Sequence, residues 1–147
     1  MAIFNKDMTK LASGNSNFQQ EVYRDKNVQI VLMSLAPGED IGEETHRADQ
    51  TTFFVEGHGR AVVDGHGTTV SPGHMIVIPQ GALHNIVNNG KEPLKLFSVY
   101  APPAEPAGVS HKTKAEAEAA EEGFVSRAAK AVKAAAEGLP GKVGLGS

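Results

Sequence analysis

The stretch GHMIVIPQGALHNIVN, residues 73–88, is the most informative part of the chain. Its apolar run HMIVIP (74–79) is short and rich in β-branched residues, with Pro72-Gly73 before it and Pro79-Gln80-Gly81 closing it. A run that short, punctuated by Gly and Pro at both ends, predicts a strand and not a helix. His84 then stands three residues after Gly81 and four before Asn88. The chain thus places a metal-competent imidazole shortly after a turn.

The same punctuation recurs on both sides. Turn signals fall at Pro37-Gly38, Gly57-His58-Gly59, Asp64-Gly65 and Asn89-Gly90. Between them lie VQIVLMSLA (28–36), TTFFV (51–55), RAVVD (60–64) and LKLFSVYA (94–101). Strands of about five residues with turns every ~8–12 residues predict an all-β sandwich or barrel. Asp64-Gly65 suits a two-residue hairpin, since both positions take positive φ at low cost. VQIVLMSLA is apolar on both parities, which predicts a strand covered on its outer face by a partner or by the chain's own termini.

The character changes after YAPPAEPAG (100–108). HKTKAEAEAAEEGFVSRAAKAVKAAAEG (111–138) is built of strong helix formers, Ala, Lys and Glu. Thr113 with Glu116 matches a capping box, Gly123 is a possible break, and Phe124, Ala128, Val132 and Ala135 form a thin apolar stripe. The expected organisation is a β-barrel domain over 1–110, a helical extension over 111–138 and a flexible tail over 139–147. The 147 residues suit one domain; a net charge of -3 without a basic stripe speaks against nucleic acid as a partner. There is no Cys, hence no thiolate site or disulfide. No apolar window approaches the ~20 residues of a membrane span, and the start lacks a secretory pattern, so a cytoplasmic protein is expected.

Upstream of TTFFV, the stretch GEETHRADQ (42–50) offers Glu44, His46 and Gln50. Glu44 and His46 are two apart and share a side of an extended strand. If the strands carrying His46 and His84 are neighbours, four side chains converge inside the barrel. Neutral imidazole is the commonest protein ligand for a divalent transition metal, and a carboxylate with an amide oxygen completes a plausible set. Two His and one carboxylate with open positions are also the set used by iron(II) oxygenases. Unperturbed imidazoles would release metal as pH falls through about 6–6.5.

The order Gly38, Glu44, His46, Gln50, Gly57 and the order Gly73, Pro79, Gly81, His84, Asn88 resemble the two motifs of the cupin superfamily. The second matches without a gap; in the first, Glu44 stands where the family has a His and Gln50 where it has a Glu. The resemblance runs over roughly residues 28–101 and looks like the small bacterial cupins grouped by name with mannose-6-phosphate isomerases. It implies a double-stranded β-helix, or jelly roll, with one divalent transition metal (Mn, Fe, Zn, Ni or Cu) per chain, frequently as a homodimer. Glu44, His46, Gln50 and His84 are the metal candidates. Glu44, if it is not a ligand, and Tyr100 are the catalytic candidates.

Three functions follow from this reading. The first is a metalloenzyme acting on a small polar or carbohydrate-type substrate by isomerase-like proton transfer. The second is an iron- or copper-dependent oxygenase or other oxidoreductase. The third is a non-catalytic metal- or sugar-binding module. Arg60 and Lys95 are isolated, so no phosphate-binding cluster stands out. His58 and His66 fall in Gly-flanked turns and read as solvent-exposed; His74 begins a strand after a Pro-Gly turn and His111 precedes the tail helix, and none of the four is expected to take part in the chemistry. Asp49 reads as a turn residue, and Gly57, Gly73 and Gly81 as positions that need positive φ or close backbone approach.

Overall fold

The computed structural model describes residues 3–137. Helix α1 (Met8–Gly14) comes first, followed by β1 (Gln19–Arg24), β2 (Gln29–Leu35), β3 (Asp49–Glu56), β4 (Gly59–Val63), β5 (His66–Val70), β6 (Met75–Ile78), β7 (His84–Val87), β8 (Leu94–Ala101), β9 (Ser110–His111) and helix α2 (Lys114–Glu137). The strands form two antiparallel sheets, one in the order β6-β3-β8-β2-β1-β9 and one in the order β5-β4-β7. The β-rich unit closes at Lys114.

Alternation along the strands sets the core. On β8, Leu94, Leu96, Ser98 and Tyr100 are buried; on β3, Gln50, Thr52 and Phe54; on β2, Gln29, Val31, Met33 and Leu35. The small sheet adds Ala61, Val70, His84 and Ile86. Each fully buried Leu, Ile or Phe of this set contributes about 1.5–3 kcal/mol relative to exposure. One end of the large sheet departs from the apolar rule: Gln50, Tyr100 and Gln29 lie side by side on adjacent strands, and all are at most 2 % exposed. Buried amides and a phenol in a row need partners, which marks that end as the place to look for function.

The opposite face of the large sheet is apolar too. Leu32, Phe97, Phe53 and Met75 are successive cross-strand neighbours, with the Phe53 and Phe97 rings stacked at 4.8 Å. Helix α1 packs against β2, β3 and β8, and Lys95 Nζ donates to the Ser13 carbonyl at 2.7 Å. This N-terminal segment is what covers the doubly apolar β2, one of the two coverings expected; Leu32 is 3 % exposed. Asp7 caps α1 by accepting from the Lys10 N–H.

Asp64 and Gly65 both have positive φ, 47° and 81°, and join β4 to β5 with Val63 paired to His66, the expected two-residue hairpin. His66 therefore opens a strand and is not a turn residue, although it is exposed as expected. Asp49 likewise opens β3 and accepts from the Gln80 N–H, because a carboxylate there ties down the turn after β6. Helix α2 begins one residue after Thr113 and runs through Gly123 without a break: one glycine costs only ~1 kcal/mol in a segment this rich in Ala, Lys and Glu. The stripe at Phe124, Ala128, Val132 and Ala135 and the tail 139–147 lie outside the residues whose side chains are described.

Candidate metal centre

The two halves of the site meet through the backbone. Glu44 lies outside the regular strands, but it forms an isolated bridge with His84. The Glu44 N–H donates to the His84 carbonyl at 2.9 Å, and the His84 N–H donates to the Glu44 carbonyl at 3.0 Å. A residue pair that exchanges both bonds projects its side chains to the same face. Two residues on, the His46 carbonyl accepts from the Gly81 N–H at 2.9 Å. Gly81 can sit there because its φ is +84°, a conformation open to glycine. The expectation that His46 sits on a regular strand beside Glu44 is thus corrected: a single bridge followed by a bend carries the pair, pinned by the turn after Pro79.

The side chains converge accordingly. The ligand atoms of Glu44, His46 and His84 lie within 4.8 Å of one another. The His46 and His84 rings are 5.4 Å apart, and the Tyr100 ring meets His46 edge-on at 5.4 Å. Glu43, the neighbour that competes with Glu44 for the inward role, is exposed. Gln50 stands directly across from Tyr100 on the inner face. Thr52, Ser98 and Gln29, which sequence did not single out, belong to the same inner surface. Their alternation with apolar residues on β2, β3 and β8 was the available signal.

Two of the candidates, His84 and Gln50, are oriented by a second group. His84 Nδ1 donates to the Ala82 carbonyl at 3.1 Å, which leaves the Nε2 lone pair pointing inward. The Gln50 amide nitrogen donates to Thr52 Oγ1 at 3.2 Å and Ser98 Oγ at 3.3 Å, and those hydroxyls bond each other at 2.7 Å. The Gln50 Oε1 is left as an acceptor. Among the described residues, His46 Nε2, His84 Nε2 and Gln50 Oε1 are three of the four buried side-chain polar atoms that lack a hydrogen-bond partner. Burying such atoms without a partner costs about 1–3 kcal/mol each. Three such atoms in one neighbourhood fit a cation: His84 Nε2 and Gln50 Oε1 present lone pairs, and a neutral His46 ring offers one as well.

Electrostatics agree with that donor set. Burial first, and then the neighbouring His84, push the His46 imidazole down to a pKa of about 4. The ring therefore stays neutral, with its lone pair available, well below the usual range. The expectation of metal loss through about pH 6–6.5 takes both imidazoles as unperturbed; burial moves His46 below that range, because a desolvated imidazolium is costly. In the metal-free chain an NMR titration of the His46 ring should show a midpoint near 4; a midpoint near 6.5 would mean the ring is solvated. The unfolded chain takes up this proton first, so His46 lowers folding stability as pH falls from 6.5 toward 4. Burial, and then the charges of Glu105 and Glu44, push the Tyr100 hydroxyl well above its ordinary value, so it is a hydrogen-bond donor in the site and not a base.

The remaining candidates lie apart from this group. Asn88 is fully buried, and its amide donates to the Leu35 and Glu92 carbonyls while its oxygen accepts from the Gly90 N–H, so it holds the β7–β8 loop. His58, His66 and His74 are exposed, and His74 Nδ1 accepts from the Ser71 N–H. His111 pairs with Gln19 at the sheet edge. The Arg60 side chain lies over Gly67, away from the centre.

Two facing antiparallel sheets with a His/Glu cluster between their strands define a jelly-roll protein with a candidate metal centre. Residues 31–100, just under half of the chain, match the Cupin domain model. It is 38 % identical over 125 residues to the uncharacterized protein YrkC of Bacillus subtilis, a match covering 79 % of this chain and 66 % of that one. The chain thus spans just under two thirds of that relative's length. The crystal structure of BH2720 from Bacillus halodurans is similar at 36 % identity with a TM-score of 0.78, covering 80 % of this chain and 95 % of that chain. A cupin superfamily protein from Desulfitobacterium hafniense shares the fold at 21 % identity and TM-score 0.57, over 65 % of this chain and 88 % of its own. The isomerase designation suggested by resemblance draws no support from these relatives. Among the described residues no helix is long and apolar enough to cross a membrane.

Proposed function

We propose that the chain is a metalloenzyme that holds one divalent transition metal through Glu44, His46, Gln50 and His84 and acts on a small, hydroxyl-bearing substrate of carbohydrate type. The observation that carries this is the trio of buried polar atoms without hydrogen-bond partners at His46, His84 and Gln50. A bound dication supplies Lewis-acid polarisation of a carbonyl or hydroxyl oxygen. Glu44 serves as ligand and anion, which removes it from the role of base. His84 is held in one tautomer by Ala82, and Gln50 is held by Thr52 and Ser98, so the donor atoms are set before anything binds. Tyr100 presents a protonated hydroxyl at the edge of the His46 ring and donates to a substrate oxygen. Elemental analysis and equilibrium dialysis of the purified chain should give one transition-metal ion per chain. A chain that takes up none of manganese, iron, cobalt, nickel, copper or zinc would sink this reading.

We also propose that a second copy of the chain covers the outer face of the large sheet. The apolar row of Phe97 and Phe53 continues to Met75 and Val77 on the edge strand β6, which are 53 % and 57 % exposed. In sedimentation velocity the chain should run as a dimer, and Val77→Lys as a monomer; a monomeric wild type refutes the idea.

A further inference from the structure

Outside both motifs, a second carboxylate reaches the site. Glu105 lies in the segment between β8 and β9, and its Oε1 is 3.8 Å from His46 Nε2, the same separation as Glu44 Oε2. Its side chain is 13 % exposed. The close cluster of Glu44, His46 and His84 does not extend to it, so it borders the ligand set on the His46 side. We propose that Glu105 is a specificity-determining residue: its fixed negative charge beside His46 turns away anionic ligands and reserves the centre for neutral, hydroxyl-bearing ones. This rests on the metal reading above and narrows its substrate class.

The position of Glu105 is built, not incidental. Gln29, fully buried on β2, accepts from the N–H groups of Ala104 and Glu105 at 3.0 and 2.9 Å, and its amide donates back to the Glu105 carbonyl at 3.2 Å. Arg24 Nη1 donates to the same carbonyl at 3.0 Å. Glu21 holds the Gln29 amide at 2.8 Å and accepts from the Gly108 N–H at 2.7 Å. Both backbone groups of Glu105 are thus clamped to the sheet, and Gln29 is the cross-strand neighbour of Tyr100. A carboxylate has only acceptor sites, so what it admits beside His46 must bring an O–H or N–H. The charge count points the same way. A dication with Glu44 keeps one net positive charge, because Gln50 is neutral where the family motif has a carboxylate; Glu105 cancels that charge. The charges that act on the buried Tyr100 hydroxyl are likewise both acidic, Glu105 and Glu44. A phosphate or carboxylate ligand would meet this acid at short range. A sugar alcohol or neutral sugar would find an acceptor in Glu105 and a donor in Tyr100.

The test uses the full-length chain loaded with cobalt(II), whose visible absorption reports ligands at the metal, titrated with inorganic phosphate. Glu105→Gln should retain one cobalt per chain and bind phosphate about tenfold tighter or more than wild type. Glu105→Asp, which retains the charge, should stay close to wild type. Equal phosphate affinity in wild type and Glu105→Gln overturns the role. Loss of cobalt in Glu105→Gln also overturns it, because Glu105 would then be a ligand, while the metal reading stands. A wild-type chain that takes up no cobalt and no other metal brings down both.

Discussion

His84→Ala is expected to abolish stoichiometric metal uptake while the β-sandwich still folds and unfolds cooperatively. The ring supplies an inward Nε2 at 2 % exposure, yet the bonds that hold β7 to the Glu44 segment run through backbone N–H and C=O and survive the substitution. Loss of an orienting partner costs metalloproteins ~10–100-fold in affinity, so loss of the ligand itself should exceed that range. The metal-free variant also gives up the hydrogen bond from Nδ1 to Ala82, which sets a stability loss of about 1–3 kcal/mol. Dialysis against zinc followed by elemental analysis reads the first effect, and a urea titration followed by circular dichroism reads the second. Unchanged zinc uptake would mean that the ring is not a ligand. If His84→Ala fails to fold, His84→Asn preserves polar bulk and decides between a structural and a metal-binding ring.

Gly57→Ala should be the most damaging of the motif glycine substitutions. Gly57 has φ of +84°, and a Cβ there would lie 2.4 Å from the Pro93 carbonyl oxygen and 3.0 Å from the Leu94 Cα. Backbone, not a flexible side chain, blocks the space, so β3 would have to shift from the start of β8. Gly73 has φ of +88° with nothing within 4 Å of the added carbon, and Gly81 is the same at +84°. Those two should lose about 1–2 kcal/mol, the cost of a side chain in the left-handed region. Gly57→Ala adds the clash and should lose about 3–5 kcal/mol, a range reserved for a few named mechanisms. Urea midpoints of the three variants, measured in metal-free protein, compare them directly. Equal losses at all three positions would mean that the Pro93 loop yields freely.

Much of the site was legible before any coordinates. His46, His84, Glu44 and Gln50 stand out because turn spacing and strand parity place them at comparable points of two separate segments, and Gly57, Gly73 and Gly81 all take positive φ as expected. The strands β2, β3, β4, β6 and β8 also follow from their apolar runs. β1, β5 and β7 were harder to see. QQEVYR and HGTTV carry little apolar alternation, and HNIV is only four residues long. Their strand character comes from pairing with neighbours, not from their own composition. Helix α1 was invisible for a related reason: seven residues cannot sustain a helix alone, and MTKLASG is held by its Asp7 cap and by packing on the large sheet.

Glu105 marks the boundary between the two kinds of information. Nothing in APPAEPAG distinguishes that acid from an exposed loop residue, because its role depends on Gln29, 76 positions earlier, clamping its backbone. Local pattern determined the strand-and-turn alternation, the glycine positions and the four metal candidates, since φ preference, side-chain parity and ligand chemistry are properties of neighbouring residues. Tertiary structure alone decided that Glu44 and not Glu43 turns inward, that Thr52 and Ser98 aim Gln50, that burial holds His46 neutral to about pH 4, and that a second acid sits 3.8 Å from that ring. Those outcomes depend on hydrogen bonds and desolvation between segments far apart in the chain, and such quantities do not exist until the sheets have paired.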